Sequence, residues 1–336
     1  MLMPCNFCHG NDMMTLFEVE ERITGRNTEF AVLKCKNCGL ACTSPQPVKS
    51  ELAVYYPEES YYSFQTTDSS ALKERLKDIC LEEIGGYPQP AKRNILLRFA
   101  RKLITQMMAK NISVIIPYIE NGRILDVGCG SGRFLKWLKE HGWDVYGVEL
   151  SEKAAQNAAK SGLNVFCGEL QDAGYSSGSF DAILINQVLE HVHDPMAILR
   201  EANRLLKNGG RLIVGVPNIE SYESRIFGEY WSPLDIPRHL YHFSFPVLAA
   251  MLDMTGFYVS KSVGKMFFIP HSNRQSLRYL AEKESKLKFL HALASIYLLK
   301  IPYYLMHRSR NTLGEFITIY ADKKPEQNPD NENTNN

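Results

Sequence analysis

The chain has 336 residues, 45% hydrophobic and 22% charged, with 38 Lys and Arg against 37 Asp and Glu for a net charge of +1. That length supports two or three units with full cores, and the composition excludes a disordered or fibrous chain. Balanced charge gives no global attraction to nucleic acid, so any such recognition has to be local.

The first ten residues, MLMPCNFCHG, lack a basic start followed by an apolar run, and no apolar stretch of spanning length is free of charge. The expected compartment is therefore the cytoplasm, where thiols stay reduced. In that setting the pairs Cys5-x2-Cys8 and Cys35-x2-Cys38 read as two metal-binding turns that converge into a tetrahedral four-sulfur site suited to zinc. Gly10 and Gly39 supply the tight backbone such turns need. A redox pair belongs instead at a strand-to-helix junction of a larger fold, and Cys42 breaks the spacing and reads as a small hydrophobe. Four protein sulfurs leave no position for water, so the metal is structural. Residues 1–48 are expected to form this zinc ribbon, with EFAVLKCKNC carrying a strand into the second turn.

After the break at SPQP, residues 49–120 read as a helical linker or cap. Its tyrosine-rich start, SELAVYYPEESYYSF, suggests a short helix and an aromatic connector. Apolar residues then recur at helical spacing over 71–83 and 91–116 (Leu96, Phe99, Leu103, Met107), with Pro117 closing the second helix. From residue 122 strands alternate with helices: RILDVGC, DVYGVEL, NVFCGEL, FDAILIN, RLIVGVPN, TGFYVSKSVGK and GEFITIYADKK are seven strands, and Ser151 caps the helix SEKAAQNAAKSG. This α/β pattern implies a parallel sheet over 121–323, with a helical insertion at 266–312. The final twelve residues have no apolar side chain, so 324–336 is expected to be a disordered tail.

Asp126, Gly128, Gly130 and Gly132 form a glycine-rich loop at the carboxyl end of the first sheet strand, where open α/β sheets bind ligands. Glu149 stands 21 residues beyond Gly128 at the tip of the second strand, placed to accept hydrogen bonds from two ribose hydroxyls. A dinucleotide loop requires glycine at position 133, which is Arg133 here. Asp126 adds a carboxylate that disfavours a pyrophosphate and favours a cation or amine. An adenosyl sulfonium with a free amino group fits these residues.

ILDVGCGSGRFL resembles the first motif of class I S-adenosylmethionine-dependent methyltransferases, and VYGVELS, FDAILINQVLEHVHDP and RLLKNGGRLIVGVPN resemble the later motifs of that family. The chain is also similar to bacterial methyltransferases with an N-terminal zinc ribbon, found among sugar and polysaccharide-modifying enzymes. The resemblance implies a Rossmann-like sheet whose seventh strand is antiparallel between the fifth and sixth. It implies that Asp126, Gly128 and Gly130 line the methionine end of the cofactor, that Glu149 holds its ribose, and that Leu150, Glu169 and Leu170 contact the adenine. Asn186 and Gln187 end the fourth strand facing the cofactor. In ubiquinone-pathway O-methyltransferases, which NQVLEHVHDP resembles, a glutamate ahead of a similar LEH helps hold a divalent ion; Gln187 stands there in this chain, so no catalytic metal is expected.

A base is sought in two segments. His191 belongs to the first and reads either as a base or as a residue that closes the loop. EYWSPLDIPRHLYHFS is the second, and its neutral imidazoles suit proton acceptance near pH 7. His239 is the expected base, with Tyr241 or His242 positioning substrate; alternatively the segment caps the next helix and its rings fill core. Arg274 to Arg310 carries eight Lys or Arg against two Glu. It reads as amphipathic helices over the active site, or as a peripheral contact at the inner membrane face. The expected function is methyl transfer to a sugar-type acceptor, a nucleotide-sugar or glycan, or to another small molecule. The alternative is a zinc-ribbon adaptor for nucleic acid or protein with an inert methyltransferase-like domain. Few basic residues flank the cysteine turns, which argues against nucleic acid. Oligomeric state is left open.

Overall fold

The computed structural model describes residues 4–26, 28–56, 71–88, 95–108, 112, 114–265, 271–306 and 312–325. Three strands open the chain, β1 (Met13–Glu20), β2 (Glu29–Cys35) and β3 (Ala41–Ser44), followed by helices α1 (Lys49–Leu52), α2 (Ala71–Gly85) and α3 (Ile95–Met108). The alternating body comprises β4 (Arg123–Val127), α4 (Arg133–Glu140), β5 (Asp144–Glu149), α5 (Glu152–Lys160), β6 (Asn164–Cys167), β7 (Phe180–Asn186), α6 (Pro195–Leu205), β8 (Leu206–Pro217) and α7 (Tyr222–Phe227). Then come β9 (Tyr241–His242), α8 (Phe245–Met254) and β10 (Phe257–Lys265). The insertion contributes α9 (His271–Lys283), α10 (Lys286–Ala294), a π-helical turn (Ser295–Leu299) and α11 (Lys300–Met306), and β11 (Phe316–Lys323) ends the fold.

Local chemistry sets the helix starts. The Ser151 hydroxyl accepts from the Ala154 amide at 3.3 Å, and the Asp194 carboxylate accepts from the Ala197 amide at 2.9 Å with Pro195 in the first helical position. The expectation of a helix running to Ile116 is corrected. α3 ends at Met108, and the described residues beyond it are not helical. Ile112, Val114 and Ile116 are buried there, because β-branched side chains favour extended backbone and these pack into the core.

The large sheet has the order β10-β11-β8-β7-β4-β5-β6. β4 pairs in parallel with both β5 and β7, and β11 is antiparallel to both β8 and β10, as expected for the last strand. Strand order reverses between β4 and β7, so the crevice at their carboxyl ends is the ligand position of such sheets. Alternation splits the core: Leu125, Ile183, Val214 and Ile319 pack on one face with α6 and α8, while Ile124, Leu184, Ile213 and Tyr320 pack on the other with α4.

A second sheet has the order β1-β2-β3-β9, in which Ala41 pairs with His242 and Cys42 with Tyr241. The segment expected to carry the base therefore supplies the last strand of the N-terminal sheet. Cys5, Cys35 and Leu40 join the same core cluster as Leu125 and Val247, so apolar packing runs unbroken from the ribbon into the body. Among the described residues no helix is long and apolar enough to cross a membrane. Of the tail expected at 324–336, Lys324 is held in the fold, its amide donating to the Gly256 carbonyl at 2.9 Å and its Nζ to Asp253 at 2.7 Å, while residues 326–336 lie outside the described residues.

Candidate active site

The loop after β4 takes a conformation only glycine tolerates well: φ is +73° at Gly128, +56° at Gly130 and +74° at Gly132. A Cβ on Gly128 would lie 2.3 Å from Val188, whereas one on Gly130 would meet nothing within 4 Å. Gly130 thus opens onto free space, and its amide donates to Glu149 Oε2 at 2.8 Å. The other oxygen, Oε1, accepts from the Ser151 amide at 2.8 Å. Glu149 is anchored by backbone on both sides, at the tip of β5.

Asp126, at the end of β4, is buried. Burial first, and the Glu149 charge second, push its carboxyl up to about 8. A buried acid under this pressure calls for a cation, which matches an amine or sulfonium and opposes a pyrophosphate. Leu150 is exposed at the rim, Leu170 is buried, and Glu169 bonds Lys49 at 2.5 Å through Oε1. Asn186 ends β7, and Gln187 after it has φ +57°, with its amide donating to the Gly215 carbonyl at 2.8 Å. These predicted cofactor residues all sit along the carboxyl ends of β4 to β7.

The candidate bases separate by burial. His239 is 4% exposed, and its Nδ1 lies 2.8 Å from the Pro233 carbonyl. His191 is half-buried, with Nδ1 3.1 Å from the Arg238 carbonyl and 3.0 Å from the Tyr56 hydroxyl. A carbonyl only accepts, so each Nδ1 donates and each Nε2 is assigned a lone pair. Burial lowers both imidazoles, His239 well below the ordinary range, and both are neutral at pH 7. Their rings meet edge to face at 4.6 Å. Glu190 is fully buried, and neither carboxylate oxygen reaches a hydrogen-bond partner on another described residue. Burial, with a smaller contribution from Asp235, raises its carboxyl to about 8.

Glu190, His191 and His239 offer donor atoms within 4.8 Å of one another. Gln187 had pointed away from any such set; the third donor comes instead from a segment about fifty residues later, which local spacing does not reveal.

The structure corrects the roles expected for Tyr241 and His242, both of which are turned into the seam between ribbon and body. The Tyr241 hydroxyl accepts from Asn6 and donates to the His193 carbonyl at 3.0 Å, and His242 Nε2 lies 3.1 Å from Thr43 Oγ1. Arg238, also buried, bonds Asp235 at 2.6 Å and the Tyr55 carbonyl at 2.9 Å, and lies 3.7 Å from Glu21. These residues hold the segment rather than face the crevice.

At the front, Cys5 Sγ lies 3.5 Å from Cys38 and Cys8 Sγ 3.5 Å from Cys35. All four sulfurs lie within 4.8 Å of one another. A tetrahedron with Zn–S bonds of about 2.3 Å has edges of about 3.8 Å, so the spacing suits that ion. The turns repeat each other: the His9 and Gly39 amides donate to the carbonyls of Cys5 and Cys35 at 2.8 and 2.9 Å. Burial opposes ionisation of Cys35, but the Cys38 and Asn37 amides outweigh it and hold the thiol at about 7.

Sheet order, glycine loop and carboxylate together define an enzyme of the S-adenosylmethionine-dependent methyltransferase class. The family profile described as a methyltransferase domain matches residues 94–262, half of the chain, and the chain belongs to that family. An uncharacterized protein of Methanocaldococcus jannaschii is 34% identical over 118 residues, covering 35% of this chain and 56% of that protein; the chain thus spans just over half of that relative's length. A ubiquinone biosynthesis O-methyltransferase of Xanthomonas oryzae is 30% identical over 172 residues, 47% of this chain and 72% of that enzyme. The solved S-adenosylmethionine-dependent methyltransferase of Archaeoglobus fulgidus superposes with a TM-score of 0.43 at 20% identity, over 68% of this chain and 100% of its own.

Proposed function

We propose that this methyltransferase methylates a hydroxyl of a small polar, sugar-type acceptor, a nucleotide-sugar or glycan, with a zinc-bound cysteine ribbon as a structural wall. The observation that carries the reading is the pairing of the open Gly130 loop with Glu149 and the buried, cation-seeking Asp126. Oxygen as the accepting atom is supported by the O-methyltransferase name of the Xanthomonas relative.

S-adenosylmethionine supplies an electrophilic methyl group on sulfonium sulfur. Glu149, fixed by the Gly130 and Ser151 amides, would accept from the ribose hydroxyls with its remaining lone pairs, Asp126 would face the cationic end, and the glycines would let backbone approach without side-chain bulk. His191, the less buried imidazole, would take the acceptor's hydroxyl proton at Nε2 as that oxygen gains the methyl group and the sulfonium sulfur is released as a neutral thioether. His239 stands behind it, with Asp235 3.8 Å from its Nε2 to balance the imidazolium charge that develops. Cys5, Cys8, Cys35 and Cys38 would hold zinc, which would fix the turns that carry Asn6 to Tyr241.

Calorimetry with S-adenosylhomocysteine tests the cofactor site: wild type binds, and Glu149→Ala weakens binding by about tenfold or more, the range for a lost bond to a charged group. A panel of nucleotide-sugars with labelled methyl donor tests the acceptor, and label appearing only in non-hydroxyl products would overturn it.

A further inference from the structure

α3 is turned with an apolar face outward. Ile95, Leu96, Phe99 and Leu103 are 79%, 74%, 70% and 50% exposed. At about 100° per residue these four fall in a single arc of roughly 100°, with Arg98 and Lys102 along one margin. Residues 95–100 are exposed on all sides, Leu97 at 51% included, and from Arg101 on the opposite face packs inward through Ile104 and Met108 against Cys80, Leu81 and Ile112. This rotation is pinned: Arg101, 5% exposed, bonds Glu83 through Nε at 2.6 Å and Glu82 through Nη2 at 2.7 Å, both on α2. Turning the apolar arc inward would expose the guanidinium and strand two carboxylates, so the outward face is built into the helix pair.

The helix ILLRFARKLITQMM contains no carboxylate, so the charge that the helix itself sets beside the outward arc is basic. The same chemistry recurs on the insertion, where Leu287, Leu290 and Leu298 are 78%, 57% and 70% exposed next to the exposed Lys286 and Lys288. A two-fold contact between copies through α3 would set Arg98 and Lys102 near their own equivalents. An anionic lipid surface instead complements both the apolar arc and its basic margin.

We propose that α3 is a docking helix for anionic phospholipid membranes, with Ile95, Leu96, Phe99 and Leu103 entering the headgroup boundary and Arg98 and Lys102 contacting lipid phosphates. The inserted helix α10 and the π-helical turn after it provide a second contact of the same kind. The enzyme thereby works at a membrane surface, and its acceptor reaches it there.

The test is flotation of the full chain with phosphatidylcholine vesicles, with and without a third of the lipid as phosphatidylglycerol. Binding is expected to the anionic vesicles, to weaken in high salt, and to fall by about tenfold or more in the double variant Phe99→Asp, Leu103→Asp. Arg98→Ala and Lys102→Ala, which leave the apolar arc intact, are each expected to weaken it about fivefold. Circular dichroism checks that each variant keeps its helices. Absence of flotation, equal binding to uncharged vesicles, or undiminished binding by the double variant would overturn the proposal. So would a dimer in light scattering that the double variant converts to monomer, which would make the face an interface between copies.

Discussion

Asp126→Asn separates the two demands placed on the crevice. In the folded protein the Asp126 carboxyl sits near 8, against about 3.9 in an unfolded chain. Between those values the folded state holds a proton that the unfolded state releases. Stability is therefore fully present below about pH 4 and is lost as pH rises through 8. Four units at about 1.4 kcal/mol each set a ceiling of roughly 5 kcal/mol, which relaxation and water entry reduce to about 1–3 kcal/mol. Asparagine carries no such penalty, so the variant without cofactor is expected to gain about 1–3 kcal/mol over wild type at pH 8 and little at pH 5. Glu190, near 8, and Glu315, near 7, act in the same direction, so the slope shrinks without vanishing. With cofactor the order reverses: loss of a bond to the cationic end costs about 1.5–3 kcal/mol, or roughly 10- to 100-fold in affinity. Urea unfolding from pH 5 to 8, with calorimetry at pH 8, reads both arms. An Asp126→Asn protein that is less stable than wild type at pH 8 without cofactor would refute the assignment of a buried, unbalanced carboxyl.

The ribbon predicts one zinc per chain by atomic emission; Cys35→Ser should lose it and release the ribbon to proteolysis, because ion binding and folding of such turns are one equilibrium. Arg238→Ala leaves Asp235 and Glu21 without their shared cation inside the fold and should cost about 3–5 kcal/mol by urea unfolding. His191→Gln should lower kcat by about 10²- to 10⁴-fold with unchanged S-adenosylhomocysteine affinity. In wild type the acid limb of kcat should lie below the ordinary histidine range, because burial lowers His191; a variant that retains full kcat would remove His191 from the chemistry.

The parts of the fold legible in the sequence are those encoded within one element and its neighbour. The strand RILDV, the glycine loop and the helix from Arg133 are contiguous, and Glu149 lies one strand further, so spacing alone brings together the crevice proposed for the cofactor. β9 had no such signal. It is two residues long, and Tyr241 and His242 pair with Cys42 and Ala41 across about two hundred residues, so nothing near His242 announces that it faces a strand. Periodicity also misleads where burial and conformation part ways: Ile112, Val114 and Ile116 continue the apolar count of α3 but are buried on non-helical backbone. Within α3, the same periodicity reveals an amphipathic helix without saying which face points inward, and the deciding contact is Arg101 with two acids on another helix.

The histidines show why this limit falls hardest on catalysis. His191, His239 and His242 are identical in side chain and all lie near the crevice, yet His242 meets Thr43, His239 is closed behind Pro233 and Asp235, and only His191 keeps partial exposure. Proton acceptance needs contact with the acceptor as well as a free lone pair. It is therefore the packing of the ribbon against the segment after β8, a contact between distant parts of the chain, that selects which imidazole can serve.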